Sequence, residues 1–132
     1  MKGLLFSLFN KVKHYNYSKE YIIWSAEQSL KNLKTDYLDT FLLHRPSPLM
    51  IPDEIAEAII QLKSEGKIVN FGVSNFMPFQ VDLIADKIAV SVNQIEFSLT
   101  QNTAMTNGIL DQIICPKCKS NEVNVSEGLC WD

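Results

Sequence analysis

The sequence predicts an α/β fold in which parallel strands alternate with helices. Three short apolar segments are separated by segments of helical periodicity and joined by short connections, which is typical of consecutive right-handed βαβ units. No Gly-x-Gly-x-x-Gly motif follows any of these apolar segments, so the doubly wound dinucleotide fold loses its main support. The pattern therefore favours part of a barrel of alternating strands and helices.

The first helix and the first strand are predicted within residues 18–43. Ser18 is a candidate N-cap, and apolar residues then recur at every third or fourth position, which predicts a helix over residues 19–33. The bulky apolar segment Tyr37–Leu43 is stopped by the sequence His44-Arg45-Pro46. Its composition predicts a strand that is buried on both faces.

The second helix is predicted to begin near Asp53 and to end at Gly66. Acidic residues fill its first turn, where they complement the helix dipole, and glycine supplies the left-handed conformation that a helix end commonly needs. The second strand, Ile68–Val73, follows at once. Pro78 stands at the expected first position of a short third helix, and residues 88–95 form the third predicted strand.

Polar side chains follow or end each predicted strand. His44 comes after the first strand, Ser74 and Asn75 come after the second, and Gln94 lies near the end of the third. Because the carboxyl ends of barrel strands converge on the face where chemistry gathers, we predict that these residues form one site. Hydroxyl and amide groups recognise another amide well, so a ligand that bears a carboxamide fits Ser74, Asn75 and Gln94.

Each of these residues also has a simpler interpretation. A neutral imidazole suits general acid–base work, but His44 could instead bond to a backbone carbonyl of its own loop. Ser74 or Asn75 could merely cap the following helix. Gln94 is expected to lie in a buried strand, where a primary amide without a partner costs about 1–3 kcal/mol and therefore needs a ligand or a neighbour.

Composition limits the classes of partner. The chain has 132 residues, of which 46% are hydrophobic and 20% charged, and these values are typical of a soluble globular protein. Its net charge is −3, its pI is near 5.3 and it has no basic stripe, so no nucleic-acid partner is expected. The apolar run over residues 4–9 is far shorter than the roughly 18 residues that span a bilayer. We therefore expect a cytoplasmic protein without a membrane partner.

The chain divides into three predicted segments. Residues 1–17 are an N-terminal segment, residues 18–112 are the folded domain, and residues 113–132 are a short irregular tail. The tail contains three cysteines, Cys115, Cys118 and Cys130. A zinc ribbon needs four ligands, so unpaired thiols are preferred over a zinc site and no metal ligand is assigned.

Between about His14 and Gln112 the chain resembles the middle of an aldo-keto reductase. The motifs that carry this resemblance are Ser29-Leu30-x-x-Leu33-x-Thr35-Asp36-Tyr37-Leu38-Asp39, Leu42-Leu43-His44-Arg45-Pro46, Gly66-Lys67, Phe71-Gly72-Val73-Ser74-Asn75-Phe76 and Asn93-Gln94-Ile95-Glu96. Together they are highly specific, and residues 45–50 are similar to bacterial members of the broad oxidoreductase branch. The resemblance implies a partial (β/α)8 TIM barrel of about strands four to six. It makes residues 18–112 a fragment of an NADP-dependent oxidoreductase domain.

The resemblance also implies a role for each strand-end residue. His44 corresponds to the catalytic histidine that orients a small-molecule carbonyl substrate and helps to protonate the developing alkoxide. Ser74, Asn75 and Gln94 correspond to residues that hold the nicotinamide carboxamide of NADP(H). The family's catalytic tyrosine, lysine and aspartate belong to earlier strands, and no tyrosine of this chain matches that context. A truncated and inactive form of an NADPH-dependent carbonyl reductase is therefore expected.

A non-catalytic binding or assembly module is the alternative function. In that case the barrel segment pairs with another polypeptide, and the C-terminal cysteines take zinc or a protein. A partial barrel also leaves unpaired strand edges, so self-association through these edges is expected.

Overall fold

The computed structural model describes residues 15–110, which form a three-stranded parallel sheet with its helices packed on one face. The elements in chain order are α1 (Lys19–Leu33), β1 (Leu38–Leu43), α2 (Pro52–Ser64), β2 (Ile68–Ser74), α3 (Pro78–Ala85), β3 (Val92–Gln94) and a short 3-10 helix (Thr103–Met105). The strand order is β1-β2-β3, and both pairs are parallel. The predicted α/β fold with parallel strands is confirmed. The cysteine tail and the apolar run over residues 4–9 lie outside the described residues.

The third strand is shorter than the sequence predicts. The apolar segment 88–95 was expected to be all strand, but β3 covers only three residues. The backbone N–H of Ile88 donates to the carbonyl of Ile84 at 3.0 Å, so the chain there still continues the last turn of α3. The N–H of Ser91 then donates to β2 at 2.8 Å and brings the chain back to the sheet. The prediction is wrong for residues 88–91 and for Ile95. Ile88 and Val90 pack with the main core instead, and Ile95 belongs to a second, smaller cluster.

One face of the sheet carries the hydrophobic core. Phe71 and Val73 of β2 are fully buried, and Phe41 and Leu43 of β1 are almost so. They share one cluster with apolar residues of all three helices, namely Ile22, Ala26, Leu30, Ile55, Ala58, Ile59, Leu62, Val81 and Ile84. Burying a side chain of this size stabilises the folded state by about 1.5–3 kcal/mol, so this face supplies most of the hydrophobic stabilisation.

The opposite face of the sheet is buried at its amino end, by Leu38 and Ile68, and becomes exposed beyond this pair. Thr40 of β1 and its register partner Asn70 of β2 are both exposed, so the expectation that β1 is buried on both faces is wrong. Side chains alternate along a strand, and therefore the residues two further along also point to this face. That next row contains Leu42, Gly72 and Val92 as neighbours in register. The row after it holds the ends of the strands.

The second helix ends as predicted, because Gly66 adopts a φ of +68° after the end of α2.

An ion-pair cluster around Lys67 connects α1 with the end of α2. The ammonium of Lys67 donates to carboxylate oxygens of Glu27 on α1 and of Glu65, each at 2.6 Å. These hydrogen bonds raise the pKa of Lys67, and the bond from Lys67 lowers the pKa of Glu65. The groups are exposed, so the pairs fix geometry more than they add stability.

No helix within residues 15–110 is long and apolar enough to cross a membrane.

Ser18 occupies the N-cap position of α1 as predicted, but its hydroxyl makes no capping hydrogen bond. Its backbone N–H instead donates to the side-chain oxygen of Asn16 at 3.0 Å.

Candidate functional site

Three of the four predicted site residues line one cavity that runs along β1 and reaches the carboxyl end of the sheet. Ser74 ends β2 and lies beside Gln94, its register partner at the end of β3. His44 follows β1 directly and lines the same cavity of about 310 Å³. Two tyrosines from the segment before α1, Tyr15 and Tyr17, complete this part of the wall. The fold thus brings an imidazole, a hydroxyl and a primary amide to one place.

The imidazole of His44 is only partly shielded from solvent. Its ring contacts the ring of Tyr15 edge-on, with the ring centroids 6.3 Å apart and the planes at 63°. Partial burial lowers the pKa of His44, and the neighbouring charge of Arg45 acts in the same direction. His44 is therefore neutral at pH 7, the form that can both donate and accept a hydrogen bond.

Asn75 lies beside the cavity but does not line it. Its φ is +57°, a left-handed conformation that asparagine tolerates better than most residues. Its side-chain oxygen accepts from the backbone N–H of Glu96 at 3.0 Å, and its backbone N–H donates to the carbonyl of Gln94 at 2.8 Å. The side-chain nitrogen of Asn75 approaches the Ser74 hydroxyl at 3.5 Å. Asn75 therefore fastens the end of β2 to the end of β3.

Neither Ser74 nor Asn75 caps the third helix. The N-cap of α3 is Met77, and the N–H of Met77 donates to the side chain of Gln80 at 2.9 Å. The capping interpretation of the Ser74-Asn75 pair is therefore wrong. Asn75 does not cap α3 because it turns the chain away from β2 two residues before the N-cap, Met77.

Gln94 is exposed, so the expectation that it is a buried amide is wrong. The buried amide is the preceding residue, Asn93, which is 2% exposed. Its side chain donates to the carbonyl of Phe76 at 2.9 Å and accepts from the N–H of Phe76 at 3.4 Å. Side chains of a strand alternate between faces, and the register of β3 turns Asn93 toward the packed side and Gln94 toward the cavity.

Asn93 is the residue that the sequence reasoning missed. The motif Asn93-Gln94-Ile95-Glu96 contains two adjacent amides, and the sequence predicts a role only for Gln94. Alternation along β3 could have predicted the burial of Asn93, because a residue next to a cavity-facing side chain faces the core. Knowing which of two adjacent amides faces the core requires the register, and the register follows from the pairing with β2.

The end of the cavity near Ser74 and Gln94 is suited to a neutral polar group, whereas most of the remaining lining is apolar. The carboxamide of Gln94 makes no hydrogen bond to another residue within 15–110, so its donors and its acceptor remain for a ligand. The hydroxyl of Ser74 lies on the neighbouring strand. In this part of the chain, no cluster of three or more His, Cys, Asp or Glu side chains could hold a metal ion. The set of groups is complementary to a carboxamide.

Comparison with known proteins gives one consistent result. The sequence profile of the Aldo/keto reductase family matches residues 6–126. Oxidoreductase YdhF of Escherichia coli is 45% identical over 106 residues, which cover 79% of this chain and 36% of that protein. The chain thus spans about a third of the length of this curated relative.

Solved structures show the same architecture. The glycerol dehydrogenase of Gluconobacter oxydans is 27% identical with a TM-score of 0.68, covering 77% of this chain and 32% of its own. An aldo/keto reductase of Klebsiella pneumoniae, solved with NADP and acetate, is 31% identical with a TM-score of 0.63. The matched region covers 71% of this chain and 34% of that one. The described residues therefore have the fold of part of a (β/α)8 barrel, as predicted.

Proposed function

Because the chain belongs to the aldo/keto reductase family, we propose that its cavity is the nicotinamide end of an NADP(H)-dependent site for carbonyl reduction. The observation that carries this proposal is that His44, Ser74 and Gln94, all at the carboxyl ends of strands, line one cavity. In a barrel of this kind, that is the end where substrates and cofactors bind.

The polar groups present fit the nicotinamide carboxamide. A primary amide offers two donors and an acceptor, and the Gln94 side chain offers the complementary set. The Ser74 hydroxyl adds a donor or acceptor from the adjacent strand, and Asn75 keeps the two strand ends together. When bound, NADPH supplies the hydride that reduces a carbonyl carbon. The relative from Klebsiella pneumoniae was solved with NADP, which supports the choice of cofactor.

His44 is proposed to bind and orient the substrate carbonyl. Its neutral ring can donate a hydrogen bond to the carbonyl oxygen, and this donation becomes stronger as negative charge develops there. The lowered pKa of His44 keeps the ring neutral through the physiological range. By resemblance, the proton donor of the family belongs to strands before this segment, so turnover is proposed to require residues beyond the site described here.

The remaining predictions extend this proposal. Residues 18–112 are proposed as the oxidoreductase domain, and a small-molecule carbonyl compound as its substrate. A cytoplasmic location accords with a cofactor of this kind.

Binding of NADPH to the purified chain tests the proposal directly. Fluorescence titration should give saturable binding, and Gln94→Ala should weaken it about 5- to 20-fold because two hydrogen bonds to the carboxamide are lost. Gln101→Ala is the matched control, since this residue is exposed and outside the cavity. Absence of saturable binding, or equal affinity of the two variants, would rule out the assigned carboxamide contact.

A further inference from the structure

We propose that Tyr15 and Tyr17 form a clamp that positions His44. The two residues precede α1, and Tyr17 also packs against the hydrophobic core. Both line the cavity that contains His44, although they are distant from it in sequence. The contacts that form the clamp do not depend on the proposed function. Only the effect of the clamp on catalysis rests on that function.

Tyr17 holds the backbone next to His44. Its hydroxyl donates to the carbonyl of Arg45 and accepts from the N–H of the same residue, the latter at 3.2 Å. One side chain thus satisfies both backbone groups of the residue that follows His44. Burial raises the pKa of Tyr17, so the hydroxyl keeps the proton that it donates. The loop after β1 is fixed at this point by a residue 28 positions earlier.

Tyr15 connects this anchor to the imidazole. Its ring stacks on the ring of Tyr17, with centroids 6.3 Å apart and planes at 8°. The edge contact between Tyr15 and His44 also has a centroid separation of 6.3 Å. The stacked ring therefore closes one side of the imidazole and reduces the number of side-chain rotamers open to it.

A clamp of this kind matters because His44 lies just beyond the strand. The ladder of β1 ends at Leu43, so the strand itself does not fix the next side chain. A catalytic group that moves by about 1 Å can lose on the order of 100-fold in rate. Tyr15 and Tyr17 are accordingly positioning residues, which act through His44 and need not touch the substrate.

Measurements on His44 and Arg45 test the clamp without any cofactor. The chain has two histidines, so NMR titration resolves His44 once His44→Gln has assigned its signal. Among residues 15–110, the ring of Tyr15 contacts this imidazole and the charge of Arg45 acts on it. Tyr15→Leu should raise the pKa of His44 toward its ordinary value of about 6.5, since the ring becomes more hydrated. Tyr15→Phe keeps the ring and should leave the pKa unchanged.

Tyr17→Phe tests the backbone anchor. The variant keeps the stacked ring and removes both hydrogen bonds to Arg45, so exchange of the Arg45 amide should accelerate about tenfold. Tyr37→Phe and Tyr37→Leu are matched controls, because Tyr37 is half exposed and lies at the amino end of β1. Urea unfolding of every variant verifies that it is folded.

The outcomes separate the clamp from the proposed function. If the Tyr15→Leu and Tyr17→Phe variants match the Tyr37 controls in His44 pKa and Arg45 exchange, the clamp is wrong. If Tyr15→Leu does not fold, the exchange rate in Tyr17→Phe decides the question alone. If the variants behave as expected but the chain does not bind NADPH, the clamp is supported and the proposed function is refuted.

Discussion

Asn93 and Gln94 are adjacent amides with opposite surroundings. Asn93 is buried and bonds to both backbone groups of Phe76, whereas Gln94 is exposed in the cavity. The first connects β3 to the segment that leads into α3, and the second remains available to a ligand. The same chemical group is therefore structural at one position and a candidate binding group at the next.

Replacement of Asn93 should cost stability. Asn93→Leu keeps the branched shape of the side chain, although leucine is larger, and it leaves the N–H and carbonyl of Phe76 buried without the partners that Asn93 supplies. Unfolding should therefore become easier by about 2–4 kcal/mol. Urea denaturation measures this change. Asn70→Leu is the control, because Asn70 is exposed on β2 and should change stability little. Equal midpoints for the two variants would contradict the structural role of Asn93.

For single residues, the sequence predicted which positions lie at strand ends better than it predicted their burial and contacts. The strand-end positions of His44, Ser74 and Gln94 followed from apolar segments that stop at polar residues. The burial of Asn93 did not follow, because it depends on the alternation of a strand only three residues long. The tyrosine contacts with His44 and Arg45 join residues 28 or 29 positions apart, and no local pattern predicts them.

Strand β2 is the central element, and its glycine sets the spacing of the sheet. A Cβ at Gly72 would lie 2.5 Å from the carbonyl oxygen of Val92 and 2.6 Å from the Cδ2 of Leu42. Both neighbours belong to the strands that flank β2. Gly72 therefore lets the three strands approach each other directly below the cavity.

Gly72→Ala should destabilise the sheet by about 1–3 kcal/mol, because the added methyl group meets backbone on one side and a packed side chain on the other. Thermal unfolding followed by circular dichroism measures the loss. Val69→Thr lies on the same strand with a half-exposed side chain and is the control. A Gly72→Ala variant as stable as the control would show that the strands separate without cost.

The elements were predictable where local chemistry marks their ends. Pro52 and Pro78 open α2 and α3, and Gly66 follows the end of α2 with positive φ. The third strand was overestimated because residues 88–95 form one apolar run that serves two purposes. Its first half packs at the end of α3 and only its second half pairs with β2. Hydrophobicity alone does not distinguish these two environments.

The three-stranded sheet has two outer strands, and β1 offers the longer edge. The N–H of Leu38 bonds to the carbonyl of Lys67, so the N–H groups of Asp39, Phe41 and Leu43 point away from β2 by alternation. No strand within residues 15–110 pairs with this edge. An edge of this length favours pairing with a second copy of the chain.

We expect the purified chain to self-associate in a concentration-dependent manner, as measured by light scattering. Asp39→Pro removes one outward N–H and leaves the ladder to β2 intact, so it should weaken association about tenfold. Asp39→Ala retains that N–H and should associate at least as strongly as the parent chain. A monodisperse monomer at every concentration would contradict this expectation.

The candidate site is separate from the contacts that hold the fold together. His44 and Gln94 are exposed at strand ends, whereas the core and the Lys67 ion pairs lie elsewhere. Substitution of an exposed strand-end residue therefore removes few buried contacts, so loss of ligand binding and loss of folding can be separated by experiment. Asn93 and Gly72 are buried within the sheet, so their substitution is expected to affect the fold and the site together.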